Sequence, residues 1–183
     1  RDVISGGKIT ATDTALSNGG TLTLFDGEIT GKMGISTGGT FTFKDGKVIS
    51  TGKEAIQTSG TSTFDGGEII SKKEGIYAQN GITTINKVNI QAETDGLYFS
   101  RGTLIVNGGE IIGDENGASL NASEYGTATI NDGHIQGKSG YGVYTNNLTY
   151  ILGGLIEGGS NGVTKAGNLS LNIGENDGTI SID

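Results

Sequence analysis

A short motif, glycine followed by alternating threonine and apolar residues, returns along the whole 183-residue chain. Copies start at Gly20, Gly39, Gly60, Gly81, Gly102 and Gly126, and degenerate copies start at Asn147 and Gly167. Successive starts lie 19, 21, 21, 21, 24, 21 and 20 residues apart. A period this constant marks a solenoid, in which each repeat is one supersecondary unit that buries its apolar side only against its neighbours.

Each unit divides into three short runs. The first alternates, as in Thr21 to Leu24 or Thr40 to Phe43. A turn follows, usually Asp-Gly or Gly-Gly, as at Asp26-Gly27, Asp45-Gly46 and Gly108-Gly109. The second run centres on one branched residue: Ile29, Val48, Ile69, Ile90, Ile111, Ile135 or Ile156. The third begins small and then apolar, as in Gly34-Ile35, Ala55-Ile56, Gly75-Ile76, Gly96-Leu97 and Gly142-Val143. The apolar pattern has period two and never a helical period, so the runs are strands. Three strands and three turns in about 21 residues make one coil of a parallel β-helix. Stacking coils at ~4.8 Å pairs every backbone edge and buries every apolar side at once. The expected fold is therefore all-β: a single β-solenoid domain over residues 1–183, with three short strands per coil and roughly eight coils. Alternation places Leu22, Leu24, Phe41, Phe43, Phe64, Ile85, Leu104, Val106, Ile130, Ile151, Leu169 and Leu171 inside.

Composition narrows the function classes. Glycine supplies 35 residues, for corners that need positive φ or close approach, and there is no Pro, Cys or Trp. Collagen, disulfides and thiolate metal sites are excluded. No apolar run reaches the ~18 residues of a membrane span, and no secretory leader opens the sequence. Formal charge is −8, and residues 91–183 hold three basic against eleven acidic residues. An acidic surface of this kind speaks against nucleic acid and membrane insertion. Residues 1–10 align with residues 21–30, and the chain closes on the strand-like Thr179 to Ile182. The expectation is a segment of a larger protein, with flanking regions of that parent as partners.

The run Gly-Thr-Leu-Thr-Leu-Phe-Asp-Gly-Glu-Ile-Thr-Gly over residues 20–31, followed by Gly34-Ile35, resembles the right-handed parallel β-helix repeats of large bacterial surface proteins. These have the pectate-lyase-like architecture and include adhesins and carbohydrate-binding repeat regions. The resemblance implies secretion, display at the cell surface, and contact with a glycan or a host surface protein. It also takes in polysaccharide lyases and hydrolases, so fold alone does not settle function.

With the register fixed, each column of the repeat becomes a surface stripe. The outward third-strand column reads Ser36, Gln57, Tyr77, Tyr98, Ser119, Tyr144, Thr164. The longest coil inserts Asn121 to Tyr125 just after this strand, and Tyr141 precedes Tyr144. Tyrosine rings stack on the apolar faces of sugars while hydroxyl, amide and carboxylate groups bond sugar hydroxyls. Tyr77, Tyr98, Ser119, Asn121, Glu124, Tyr125, Tyr141 and Tyr144 are the candidate ligand-binding residues, set against a plain stabilising aromatic ladder. Glu93, Asp95, Asp114 and Glu115 crowd one corner. Solvation alone is the favoured account of them, and an oxygen-only site for Ca²⁺ is the alternative. No other cofactor is expected.

The remaining columns read as structure. Asp26, Asp45 and Asp132 precede corner glycines, where Asp caps a turn. Glu28, Lys47, Glu68, Asn89, Glu110 and His134 line the second strands, and lone His134 has no histidine partner for a metal. The outward Thr ladder could match an ice lattice, but Ile82, Ile105, Leu148 and Tyr150 break its ranks. No paired carboxylates with a basic residue occupy the threonine face, so no catalytic residue is assigned. The expected function is a non-catalytic, extracellular adhesin module that contacts carbohydrate or a host ligand through the tyrosine face. A structural spacer, a polysaccharide-cleaving enzyme and an ice binder are the alternatives.

Overall fold

Strand alternation dictates that residues one period apart become neighbours, and the computed structural model has that arrangement throughout. It describes residues 1–122, 125–167, 170–174 and 180–182. Every strand pairing is parallel and joins one coil to the next, as in Thr61 with Ile82, Ile69 with Ile90 and Ile76 with Leu97. The third strands form one sheet of eight, running from Thr14–Asn18 through Ile76–Ala78 and Leu97–Phe99 to Asn161–Lys165. The chain is thus a parallel β-solenoid of about eight turns.

One departure from three strands per coil occurs at the start. Asp2–Thr10 and Thr21–Gly31 each run unbroken through the corner between the first and second faces. The strand Thr21–Gly31 therefore joins the two faces into a single sheet of 16 strands. From residue 33 onward the corners break the strands and the expected three-part coil holds.

The core is a single column of inward side chains. Leu24, Ile29, Ile35, Phe41, Phe43, Val48, Ile56, Phe64, Ile69 and Ile76 have no more than 1% exposure, and the same positions of later coils continue the column. Phe41, Phe43 and Phe64 gather with ring centroids 6.1 to 6.4 Å apart. Burial of such side chains contributes roughly 1.5–3 kcal/mol each. Leu171 is half-buried against this core, and Leu169 lies outside the described residues. Inward positions are not all apolar. Ser62 and Thr149 are buried and bond the hydroxyls of Thr58 at 2.5 Å and Thr145 at 2.7 Å, across the corner between third and first strands.

The corners follow from local chemistry. Asp45 Oδ1 accepts the Gly46 N–H at 2.8 Å, and Gly46 has φ 104°, which an L side chain adopts only with strain. Asp26 repeats the arrangement with Gly27 at 2.7 Å. These acids close turns, as their position before glycine predicts. At the start of the third strand the requirement is space. A Cβ on Gly75 would lie 2.2 Å from Ile90 Cγ2 and 2.5 Å from the Gly96 carbonyl oxygen.

Candidate functional site

The third strands are only three to five residues long, so each coil offers few outward side chains on this face. The middle one forms the expected column. In Cα register, Gln57 lies beside Tyr77, Tyr77 beside Tyr98, Tyr98 beside Ser119 and Ser119 beside Tyr144. Tyr77 and Tyr98 meet edge to face, with centroids 5.2 Å apart and planes at 88°. Tyr141 and Tyr144 stack, with centroids 5.8 Å apart and planes at 29°. All four rings are half-buried.

The candidate residues divide into groups. Tyr98 and Asn121 share a hydrogen bond, which joins the inserted loop to the tyrosine column. Burial pushes the Tyr98 phenol above its ordinary value, neighbouring Tyr77 adds to this, and the Asn121 bond opposes it. Ser119 is only 4% exposed, so it forms the floor between the two tyrosine pairs and not a contact surface. Tyr125 is 60% exposed, and the Arg101 guanidinium lies 4.9 Å from its ring centroid, a cation–π contact that the sequence reading missed. Glu124 lies outside the described residues.

A second column runs beside the tyrosines and was also missed. In five successive coils the small residue that opens the third-face run follows a polar one: Glu54, Glu74, Asp95, Asn116 and Tyr141. Backbone bonds stack them coil on coil. Ala55 N–H donates to the Glu74 carbonyl at 3.0 Å, Gly75 to Asp95 at 3.0 Å, Gly96 to Asn116 at 3.0 Å and Gly117 to Tyr141 at 2.9 Å. Asn116 Nδ2 donates to Asp95 Oδ1 at 2.9 Å, and Tyr141 N–H donates to Asn116 Oδ1 at 2.9 Å. Glu54 and Asp95 are 9% and 8% exposed. Glu74 holds Lys73 at 3.2 Å, which pushes the Lys73 ammonium above its ordinary value; Glu54 and Tyr77 add smaller contributions. The sequence signal was available: an acid or amide directly before the small residue in four successive coils, at Glu54, Glu74, Asp95 and Asn116.

The four corner acids fall into three different columns, Glu115 stacking on Thr94. Glu93 and Asp114 continue the line of Lys72 and Lys138, where Glu93 pairs with Lys72 and Asp114 accepts from Lys138 at 2.8 Å. A depression of about 200 Å³ lies beside these two pairs, with Ile70, Gln91 and Ile112 in its wall. Asp95 belongs to the acid column above, and Glu115 is exposed. Among the described residues no three acids or histidines come together in a metal-ligating group.

The second face is laced by ion pairs. Lys8 meets Glu28 at 2.7 Å and Lys47 meets Glu68 at 2.9 Å. The Lys8 hydrogen bond holds Glu28 below the ordinary carboxylate range. His134 Nε2 lies 2.6 Å from Glu157, and its Nδ1 lies 3.5 Å from Glu110. The charged residues that line the second strands thus make contacts between coils.

No protein-family model matches the chain, and neither does any curated protein sequence or solved structure.

Proposed function

We propose that this solenoid is a non-catalytic, extracellular adhesin module that binds carbohydrate through its third face. The observation that carries this is the pair Tyr77 and Tyr98, one coil apart and 5.2 Å between centroids on a half-exposed sheet face. A sugar ring stacks on a tyrosine face while its hydroxyls seek hydrogen-bonding groups nearby. Asn121 stands at the Tyr98 phenol, and the stacked rings of Tyr141 and Tyr144 extend the aromatic surface along the same face. Rigid sheet residues lose little freedom on binding, which favours weak contacts repeated along one chain of sugars. Attachment to a cell surface and action through a larger parent protein belong to the same proposal.

A glycan array tests it. The chain is expected to retain a subset of oligosaccharides, and Tyr98→Ala to weaken them about tenfold or more. Silence across the array, or equal retention by Tyr98→Ala, would contradict the proposal.

A further inference from the structure

Glu54, Glu74 and Asp95 stand in one line beside Tyr77 and Tyr98, held in register where the Ala55 and Gly75 N–H groups donate to the Glu74 and Asp95 carbonyls of the next coil. Successive coils lie ~4.8 Å apart, so three carboxylates occupy about 10 Å of the solenoid's length. They are sunk below the surface, with Glu54 at 9% and Asp95 at 8% exposure and the Glu74 side chain at 16%. Glu54 and Glu74 both act on one ammonium, that of Lys73. Glu74 Oε2 is buried, and the Lys73 ammonium lies 3.2 Å from it. Lys73 is shared, since Glu54 also acts on it. Of the cations on this side of the coil, Lys53 faces Asp13 at 3.6 Å, and Arg101 covers Tyr125.

Three carboxylates against one shared ammonium leave a net negative field at the edge of the tyrosine surface. Charges withdrawn from water project further than exposed ones, because less solvent screens them. The Tyr98 phenol registers this field, since Asp95 and Glu74 both add to the cost of ionising it, after burial and Tyr77. We infer that the Glu54–Glu74–Asp95 column is a charge filter that admits neutral and amine-bearing glycans to the tyrosine face and rejects those carrying carboxylate or sulfate. The inference rests on the carbohydrate reading of that face and names the class of sugar it takes. The acids act through their field and not by touching the sugar, so they are specificity residues of the site and not its contact surface.

Matched probes test the filter. Binding of three tetrasaccharides to the 183-residue chain is measured by calorimetry: β-linked N-acetylglucosamine, its de-N-acetylated amine form, and a hexuronate. At low salt the uronate is expected to bind at least about tenfold more weakly than the neutral probe, and the amine more tightly. Raising ionic strength shortens the screening length from ~30 Å at 0.01 M to ~3 Å at 1 M, so the three affinities are expected to converge. In the double variant Glu54→Gln, Glu74→Gln the ratio of uronate to neutral affinity is expected to approach one, with the neutral affinity unchanged. A merely structural role for these acids would move all three affinities together. The salt series on the unaltered chain decides the question even where the double variant does not fold. Equal binding of the three probes, or a ratio indifferent to salt, overturns the filter and leaves the sugar-binding face standing. Silence of all three overturns both.

Discussion

Asp65 stands at the foot of a ladder of side chains that climbs the corner between the first and second faces. Asn86 Nδ2 donates to Asp65 Oδ1 at 2.7 Å, Asn107 to Asn86 at 2.8 Å and Asn131 to Asn107 at 2.7 Å. Lys44 closes the lower end on Asp65 Oδ2 at 2.5 Å. Every amide donates in one direction, so the chain of dipoles ends on the carboxylate. The Lys44 bond, followed by the Asn86 bond, holds Asp65 below its ordinary value of 3.8. A carboxylate whose folded value is depressed stabilises the fold above its unfolded value and loses that contribution as pH falls through the folded one. The melting temperature is therefore expected to drop as pH is taken below 3.8, with a shallower drop in Asp65→Asn. Parallel pH profiles for the two proteins would count against the ladder's charge-assisted foot. Asn107→Ala breaks two rungs at an exposed corner, where each is worth about 0.5–1.5 kcal/mol at most. Urea denaturation should register a loss of about 1–3 kcal/mol at most for the two together.

At the scale of the strand, register is the property on which every stripe depends. Thr42 and Thr63 are Cα partners on the outward first face, and the chain has no cysteine of its own. Strands ~4.8 Å apart fall within the ~4.4–6.8 Å that a disulfide bridges. Thr42→Cys with Thr63→Cys should therefore oxidise to a disulfide within the chain. Thr42→Cys with Thr61→Cys, offset by one strand repeat, should not. The reverse pattern would refute the register. Gly75→Ala tests the tight start of the third strand, where the new Cβ meets Ile90 and the Gly96 carbonyl. Overpacking of this kind costs roughly 1–3 kcal/mol.

Strand-level features were legible because alternation and period leave one solution. The pairing of Tyr77 with Tyr98 and of Glu68 with Lys47 follows from counting. Corners were not legible in the same way. Coils of 19 to 24 residues place their length differences there, so counting loses the column. Asp95 and Glu93 are two residues apart and read as one acidic corner. In the fold Glu93 stacks with Lys72, and Asp95 stacks with Glu74 and Asn116. Arg101 over Tyr125 escaped for a related reason: both lie where the chain leaves the third strand, and the second sits in the inserted loop. The unbroken strand Thr21–Gly31 escaped because its Asp26-Gly27 matches the sequence of corners that do break the strand.

At the scale of the whole molecule, differing surface columns are laid on one repeating core. The inward column fixes the coils, and the outward columns are then free to differ. The first face is rich in threonine, the second is laced by ion pairs, and the third holds tyrosines flanked by acids. Among the described residues the aromatic pairs Tyr77–Tyr98 and Tyr141–Tyr144 lie on the third face alone. The chain has six tyrosines and no tryptophan, so its intrinsic emission is that of tyrosine, and four of the six are these rings. Tyrosine fluorescence during titration with a neutral oligosaccharide tests the central claim most directly. The account predicts a saturable change that disappears in Tyr77→Ala, Tyr98→Ala, with the β circular dichroism of that variant preserved. A flat titration, or the same saturable change in the folded double variant, would contradict it.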